Sequence, residues 1–205
     1  ISSLFLLCLI FRLPCNAQQE RINLAGSWKF SLDSTKFDSE INLPGSTDEA
    51  GIGEKHIAGT KLYTGNSEIW QLARKNVFIG IAWYQKKVEI PKEWKDKRVI
   101  LSLERCMWQT RLWINGHYVD EEHSLCTPHQ YDISEYLKVG SNEIRLCIDN
   151  SPYVHLGSWS HGYAPGIQTI WNGAIGDLFL EAKDKISVEG IQCYPSLKER
   201  SLHVK

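Results

Sequence analysis

From Ala25 onward the apolar residues recur at every second position, and this period restricts the chain to strands. Trp28, Phe30 and Leu32 alternate with Ser27, Lys29 and Ser31. Tyr84, Val88 and Ile90 fall on one face of a second run, and Val99, Leu101 and Leu103 on one face of a third. Ile144, Leu146 and Ile148 repeat the pattern, with Glu143, Arg145 and Asp149 between them. Side chains at i and i+2 share a face in a strand but lie about 200° apart on a helix, so these runs each predict a half-buried strand. No stretch sustains an apolar stripe over three helical turns. Ser134–Leu137 predicts a single turn, capped by Asp132 or Ser134 and stopped by Gly140. Between Arg111 and Val119, Asn115-Gly116 is flanked on both sides by strand formers and predicts a type I′ hairpin. Glycines at 45, 51, 53, 140, 157, 162, 166 and 173 cut the chain into short elements. Many short strands without a long helix predict an all-β, two-sheet sandwich or jelly roll.

The 205 residues carry 23 Lys and Arg against 24 Asp and Glu, a formal charge of −1, which recommends neither nucleic acid nor an anionic membrane as partner. Residues 1–17 predict a secretory signal whose start is truncated: Leu4–Ile10 is apolar, too short to span a bilayer, and Ala17 is a small residue suited to cleavage. Arg12 interrupts the apolar run and weakens a lipoprotein reading through Cys15. The expected location is secreted or periplasmic. Cleavage leaves Cys106, Cys126, Cys147 and Cys193, which allow three full pairings; free or half-buried thiols are the favoured reading, because a core of this size needs no staple. No CxxC or Cys/His cluster marks a metal site, and no cofactor is expected. Ser46–Asn76 lacks alternation and predicts a long functional or domain-packing loop. After Lys183 the pattern restarts with Ile186, Val188, Ile191, Leu202 and Val204, too little apolar surface for a separate core. The chain therefore divides into 1–17, a main domain over 18–183, and the opening of a further domain over 184–205.

Six segments in order carry a resemblance: Leu24–Phe30, Leu43–Gly51, Ala82–Gln85, Trp113–Gly116, Thr127–Ile133 and Thr169–Gly173. Together they resemble the N-terminal sugar-binding domain of glycoside hydrolase family 2, which includes β-galactosidases, β-glucuronidases and β-mannosidases. The resemblance runs from about Leu24 to Ala182. It implies a jelly-roll sandwich of the galactose-binding type, followed by an immunoglobulin-like sandwich whose opening strands fit Lys185–Lys205, and then a (β/α)8 barrel. It also implies retaining hydrolysis of a β-glycoside by two Glu on that barrel, which must stand about 5–5.5 Å apart. No residue here inherits either role. The expected partners are a carbohydrate and, within the same protein, the missing barrel; the fragment alone is expected to be inactive.

A sugar presents C–H faces that stack on aromatic rings and hydroxyls that bond planar polar groups. Two stretches combine these. Trp83 and Gln85 lie in one strand, and the resemblance puts a polar side chain near there at the edge of the barrel's pocket; the alternative is that Trp83 and Tyr84 are opposite faces of a core strand. The glycine-rich, aromatic stretch 159–173 supplies His161, Thr169, Trp171 and Asn172; it resembles the family segment that leans over the pocket, or else it packs on a neighbouring domain. Thr169 stands where many galactosidases and glucuronidases carry Asp, which weakens any transfer of sugar preference. Trp108 and Trp113 flank the hairpin and are expected in the core or at a domain contact. The carboxylates Asp120–Glu122 and Asp48-Glu49 alternate across a strand and are expected to be solvated charge. A free-standing carbohydrate-binding module and a protein-interaction sandwich are the competing functions.

Overall fold

The computed structural model describes residues 20–55, 75–153, 156–157, 171–188 and 190–205. Its strands are β1 (Glu20–Asn23), β2 (Gly26–Ser31), β3 (Ser39–Leu43), β4 (Gly45–Ser46), β5 (Glu54–Lys55), β6 (Asn76–Val77), β7 (Ile81–Ile90) and β8 (Arg98–Cys106). They continue as β9 (Gln109–Ile114), β10 (His117–His123), β11 (His129–Asp132), β12 (Gly140–Asp149), β13 (Gly173–Lys183), β14 (Cys193–Ser196) and β15 (Ser201–Val204). One sheet runs β10-β9-β12-β7-β2-β3; the other runs β1-β13-β8-β11, with β4 beside β13. Ladder pairs are antiparallel throughout, and the chain passes between the sheets at β1–β2, β3–β4, β7–β8, β8–β9, β10–β11, β11–β12 and β12–β13. This is the expected jelly-roll sandwich. No described helix is long and apolar enough to cross a membrane.

The period-two runs face each other across one core. Trp28 and Phe30 of β2, Ala82, Tyr84, Val88 and Ile90 of β7, Leu112 and Ile114 of β9, and Ile144, Leu146 and Ile148 of β12 come from the first sheet. Val99, Leu101 and Leu103 of β8, Tyr131 of β11, and Leu178 and Leu180 of β13 meet them from the second. Each such side chain removed from water stabilises the sandwich by about 1.5–3 kcal/mol before entropy is counted. The Asn115-Gly116 turn closes β9 onto β10 with φ of 51° and 84°, the left-handed pair that a type I′ turn requires. Leu32 departs from expectation: β2 ends at Ser31, and Leu32 is 52% exposed because the chain turns away through Asp33, whose carboxylate accepts from Thr35. The turn at Ser134–Tyr136 is a 3₁₀ turn, with Asp132 Oδ1 accepting from the Ser134 amide, and Gly140 opens β12. Of the stretch read as one long loop, the described ends form the short ladder of β5 with β6. All four cysteines beyond residue 19 are free thiols, Cys106 and Cys147 buried, Cys126 and Cys193 exposed. β14 and β15 pair only with each other and leave Ile186, Ile191, Leu197, Leu202 and Val204 exposed.

A polar knot is buried where β11 joins the core. His129 has no exposed surface; its Nδ1 lies 2.5 Å from Thr110 Oγ1 and its Nε2 lies 3.1 Å from the Ser124 carbonyl. A carbonyl only accepts, so Nε2 carries the proton and Nδ1 accepts from Thr110. Tyr131 Oη donates to the Thr110 carbonyl at 3.0 Å. Burial lowers the His129 pKa, outweighing the Ser124 carbonyl that raises it.

Leu146→Ala is expected to lower the urea-unfolding free energy by about 2–5 kcal/mol, while Leu202→Ala in the separate hairpin shifts the same transition by less than about 0.5 kcal/mol. Equal effects would mean that the hairpin shares the core. Because His129 folds in its neutral form, the unfolded chain binds the extra proton. Stability is then full above the ordinary histidine pKa of about 6.5 and falls as pH drops below it, by at most about 1.4 kcal/mol per pH unit. Urea titrations between pH 7 and 5.5 should show this slope, and His129→Asn should flatten it.

Candidate functional site

The first residues of β7, β9 and β13 and the last of β8 and β12 meet at one end of the sandwich. Gln109 pairs Asp149, Asp149 pairs Ile81, and Ala174 pairs both Cys106 and Gly45. Gly173 must be glycine here: its φ is +137°, and a Cβ would stand 2.3 Å from the Gly45 carbonyl oxygen.

Two buried carboxamides fasten the loops of that end. Asn172 is fully buried; its Oδ1 accepts from Tyr84 Oη at 2.7 Å, and its Nδ2 donates to the carbonyls of Gly80 and Ile148, both at 3.0 Å. Its own carbonyl accepts from the Thr47 amide at 2.8 Å. Asn150, also fully buried, accepts from the Gly80 amide at 2.8 Å and donates to the Phe78 carbonyl at 2.8 Å. Burial raises the pKa of the Tyr84 phenol well above its ordinary value, so Tyr84 remains the donor to Asn172 at every working pH.

On this base stands a half-exposed aromatic and polar rim. Met107 is buried with Trp108 and Trp171 packed against it. The Trp108 amide donates to the Asp149 carbonyl at 3.2 Å and its carbonyl accepts from Ser124 at 3.0 Å, which fixes its backbone. Its ring meets His123 edge-on, with centroids 5.5 Å apart at 75°, and Tyr153 at 6.1 Å and 44°. Tyr153 is 56% exposed, with its hydroxyl donating to Asp149 Oδ2, a bond that raises the phenol pKa. Next to Trp108, Gln109 Nε2 lies 3.3 Å from Glu121 Oε2 and 3.2 Å from His123 Nε2, and His123 Nε2 lies 3.1 Å from Glu121 Oε1.

The structure does not bring the described candidate residues into one site. Trp171 belongs to the rim. Asn172 lies beneath it with every side-chain polar group engaged inside the protein, so it positions the loops and has no group left to offer a sugar. Trp83 and Gln85 point to the opposite, outer face of the six-stranded sheet. There Trp83 packs at 5.3 Å on Trp113, which meets Tyr118 at 5.4 Å, while the Arg145 guanidinium lies 4.7 Å over Trp83 and 5.3 Å from Phe37. Rings tilted by 44° and 64° cover one another and form no flat stacking surface. Cys147 lies on that face too, its thiol pushed up to about 11 by burial. His161 and Thr169 fall outside the described residues. Sequence reasoning missed Trp108, Gln109, Glu121, His123 and Tyr153 as a group. The strand alternation could have pointed to part of it, since it puts Gln109 and Arg111 on the face opposite Thr110 and Leu112.

A hollow of about 780 Å³ opens at the other end among Ile90, Trp94, Arg98, Asp132, Tyr136 and Lys185. Two of its cations are engaged: Arg98 bonds Asp132 at 2.8 Å, and Lys97 lies 3.3 Å from Glu20. It lies beside the route to β14.

A jelly-roll sandwich with its half-buried aromatic and amide groups on the loops of one end is a common frame for carbohydrate recognition, although the frame alone does not dictate it. The sugar binding domain of glycosyl hydrolases family 2 matches residues 21–173. The chain belongs to that family. It is 25% identical over 180 residues to the β-galactosidase of Streptococcus thermophilus, which covers 85% of this chain and 16% of that enzyme. A β-glucuronidase of Formosa agariphila is 22% identical over 183 residues, covering 84% of this chain and 18% of that protein. The crystal structure of Bacteroides uniformis β-glucuronidase superposes with a TM-score of 0.58 at 23% identity, over 82% of this chain and 18% of that one, a likeness of fold. The chain thus spans less than a fifth of the length of these relatives.

Asn172→Ala is expected to lower the unfolding free energy by about 2–4 kcal/mol, since it leaves the Tyr84 hydroxyl and two carbonyls buried without partners. Urea unfolding of the variant checks this. A change below about 0.5 kcal/mol would remove Asn172 from its positioning role.

Proposed function

We propose that this chain is the N-terminal, non-catalytic domain of a secreted family 2 β-glycosidase, with the Trp108–Tyr153–Trp171 rim bordering a pocket whose reactive carboxylates lie on a downstream barrel. The family match over residues 21–173 carries the reading, and the rim supports it by lying on the loop end and not in the core. Relatives named β-galactosidase and β-glucuronidase supply the reaction class: hydrolysis of a β-linked sugar by two carboxyl groups about 5–5.5 Å apart, with a covalent glycosyl intermediate. The rim contributes binding and water exclusion; neither acid/base nor nucleophile comes from this chain.

In this reading residues 1–17 are the export signal and 18–183 the sandwich. Residues 184–205 open an immunoglobulin-like domain, which accounts for the uncovered apolar side chains of the β14–β15 hairpin. The ion-paired hollow beside Lys185 is then a seam against that domain.

The 205-residue chain should show no turnover of nitrophenyl β-galactoside or β-glucuronide. The product of the gene extended downstream through a barrel should hydrolyse one of them and lose that activity when either barrel Glu is changed to Gln. Turnover by the short chain would overturn the non-catalytic assignment. An extended gene without a barrel would leave a free-standing binding module. Expression from the gene's own start codon, so that the whole leader precedes Ala17, should yield an exported protein shortened after Ala17, and retention of that product in the cytoplasm would remove the secretion claim.

A further inference from the structure

The β14–β15 hairpin has two faces of opposite character. Its ladder sets Cys193 opposite Val204, Tyr194 opposite His203, Pro195 opposite Leu202 and Ser196 opposite Ser201. Backbone bonds between Gln192 and Lys205, at 3.0 and 2.9 Å, carry the ladder one pair further. Alternation then gathers Ile191, Cys193, Pro195, Leu202 and Val204 on one face, and Gln192, Tyr194, Ser196, Ser201, His203 and Lys205 on the other.

The polar face is closed on itself. Tyr194 Oη donates to Gln192 Oε1 at 2.7 Å, and the Tyr194 ring lies 6.2 Å from that of His203. The apolar face has no such closure: Ile191 is 66% exposed, Leu202 58% and Val204 55%, and Cys193 is a free, exposed thiol. An isolated two-stranded hairpin is marginal in water and becomes stable when further strands or another layer cover its apolar side. Among the described strands, β14 and β15 pair only with each other, so the described part of the main sandwich does not supply that cover.

Size decides what kind of cover fits. A stable interface between separate proteins takes about 20–30 residues from each partner. This face offers five side chains, too few to hold a free partner and enough for a layer tethered to the same chain. Consecutive elements usually lie side by side, so strands that follow β15 are the ones best placed to reach it. The relatives leave length for them, since this chain spans 16% of the Streptococcus thermophilus β-galactosidase.

We propose that Ile191, Cys193, Pro195, Leu202 and Val204 form the inner face of a second sandwich, closed by strands that follow Lys205, with Tyr194 and His203 on its outer side. The proposal rests on the family reading above and deepens it, because it assigns which face of the hairpin the following domain covers. Cys193 becomes a core residue of that domain.

The test compares native N-ethylmaleimide labelling in the 205-residue chain and in the product of the gene carried to its own stop codon, read at each cysteine by peptide mass mapping. In the short chain Cys193 should react within about tenfold of Cys126, the other exposed thiol. In the long product it should react at least about a hundredfold more slowly than in the short chain, because a thiol in a packed core is reached only through local opening. His203→Cys, made in both proteins, reports on the opposite face: the thiol placed at 203 should react in the long product within about tenfold of its rate in the short chain. Unchanged thermal unfolding will show that this variant keeps the fold. The proposal is overturned if Cys193 labels equally fast in both proteins, or if the thiol at 203 is protected in the long product. It is also overturned if Cys193 is already slow in the short chain; a second copy is then the cover where dilution restores the rate, and the main sandwich where it does not. Hydrolysis is a separate readout. A long product that cleaves a β-glycoside while Cys193 stays reactive keeps the family reading and loses this one, and a protected Cys193 without hydrolysis does the reverse.

Discussion

The carboxamide of Asn172 is buried at the loop end of the sandwich, and the arrangement of that end depends on it. It accepts a hydrogen bond from Tyr84 on β7 and donates to the carbonyls of Gly80 and Ile148, joining the chain before β7, the end of β12 and the start of β13. Buried backbone carbonyls need partners, and here no ladder supplies them because the strands have ended. The amide makes three bonds in a place sealed from water, where each is stronger than at a surface and each would be costly to leave unmade. Gly173, the next residue, allows the backbone of β4 to lie against it. The two positions act together: the glycine lets the chain approach, and the asparagine holds it there. Everything on the rim is attached to segments fastened in this way.

Alternation made the sandwich legible. A period of two needs only local sequence, and in β7, β8 and β12 it named the buried residues correctly, down to Tyr84 facing in and Trp83 facing out. Asn115-Gly116 was readable for the same reason, since a turn of two residues carries its own conformational requirement. Leu32 shows where the rule stops: periodicity does not mark the residue at which a strand ends, and Asp33 turns the chain by a local carboxylate bond. The site was less legible because its members are far apart in sequence. Trp108 meets His123 and Tyr153, 15 and 45 residues on, through the pairing of β9 with β10 and with β12. Asn172 was read as a sugar contact because amides serve both roles. What separates the roles is burial together with four satisfied bonds, a property of the fold and not of the residue type.

The two ends of the sandwich differ in what their polar groups do. At the end beside Lys185, Arg98 and Lys97 are matched by Asp132 and Glu20, and the hollow between them is bounded by ion pairs that already satisfy one another. Such pairs at a partly exposed position add little stability, but they fix a surface against which another body can seat. At the rim the polar groups are neutral amide, imidazole and a carboxylate with spare acceptor positions, set around half-buried rings. The first end thus offers matched charge, and the second offers hydrogen-bonding groups beside aromatic carbon.

The tilted cluster on the outer face sharpens that contrast. Trp83, Trp113 and Tyr118 are as aromatic as the rim, yet their rings turn their faces to one another and to Arg145, so the surface they could give a pyranose is already used. Arg145 in turn reaches the Ser34 carbonyl and lies against Phe37, which draws the β2–β3 connection over the sheet. The cluster therefore works as an external second core that stiffens the six-stranded sheet from the solvent side, and β7 is gripped on both faces, through Trp83 outside and Tyr84 inside. A strand held in this way transmits little movement from one end of the sandwich to the other. Rigidity of that kind suits the proposed role, in which the rim is held at a fixed distance from a downstream active site, because a group displaced by an ångström loses much of its value in orienting a substrate.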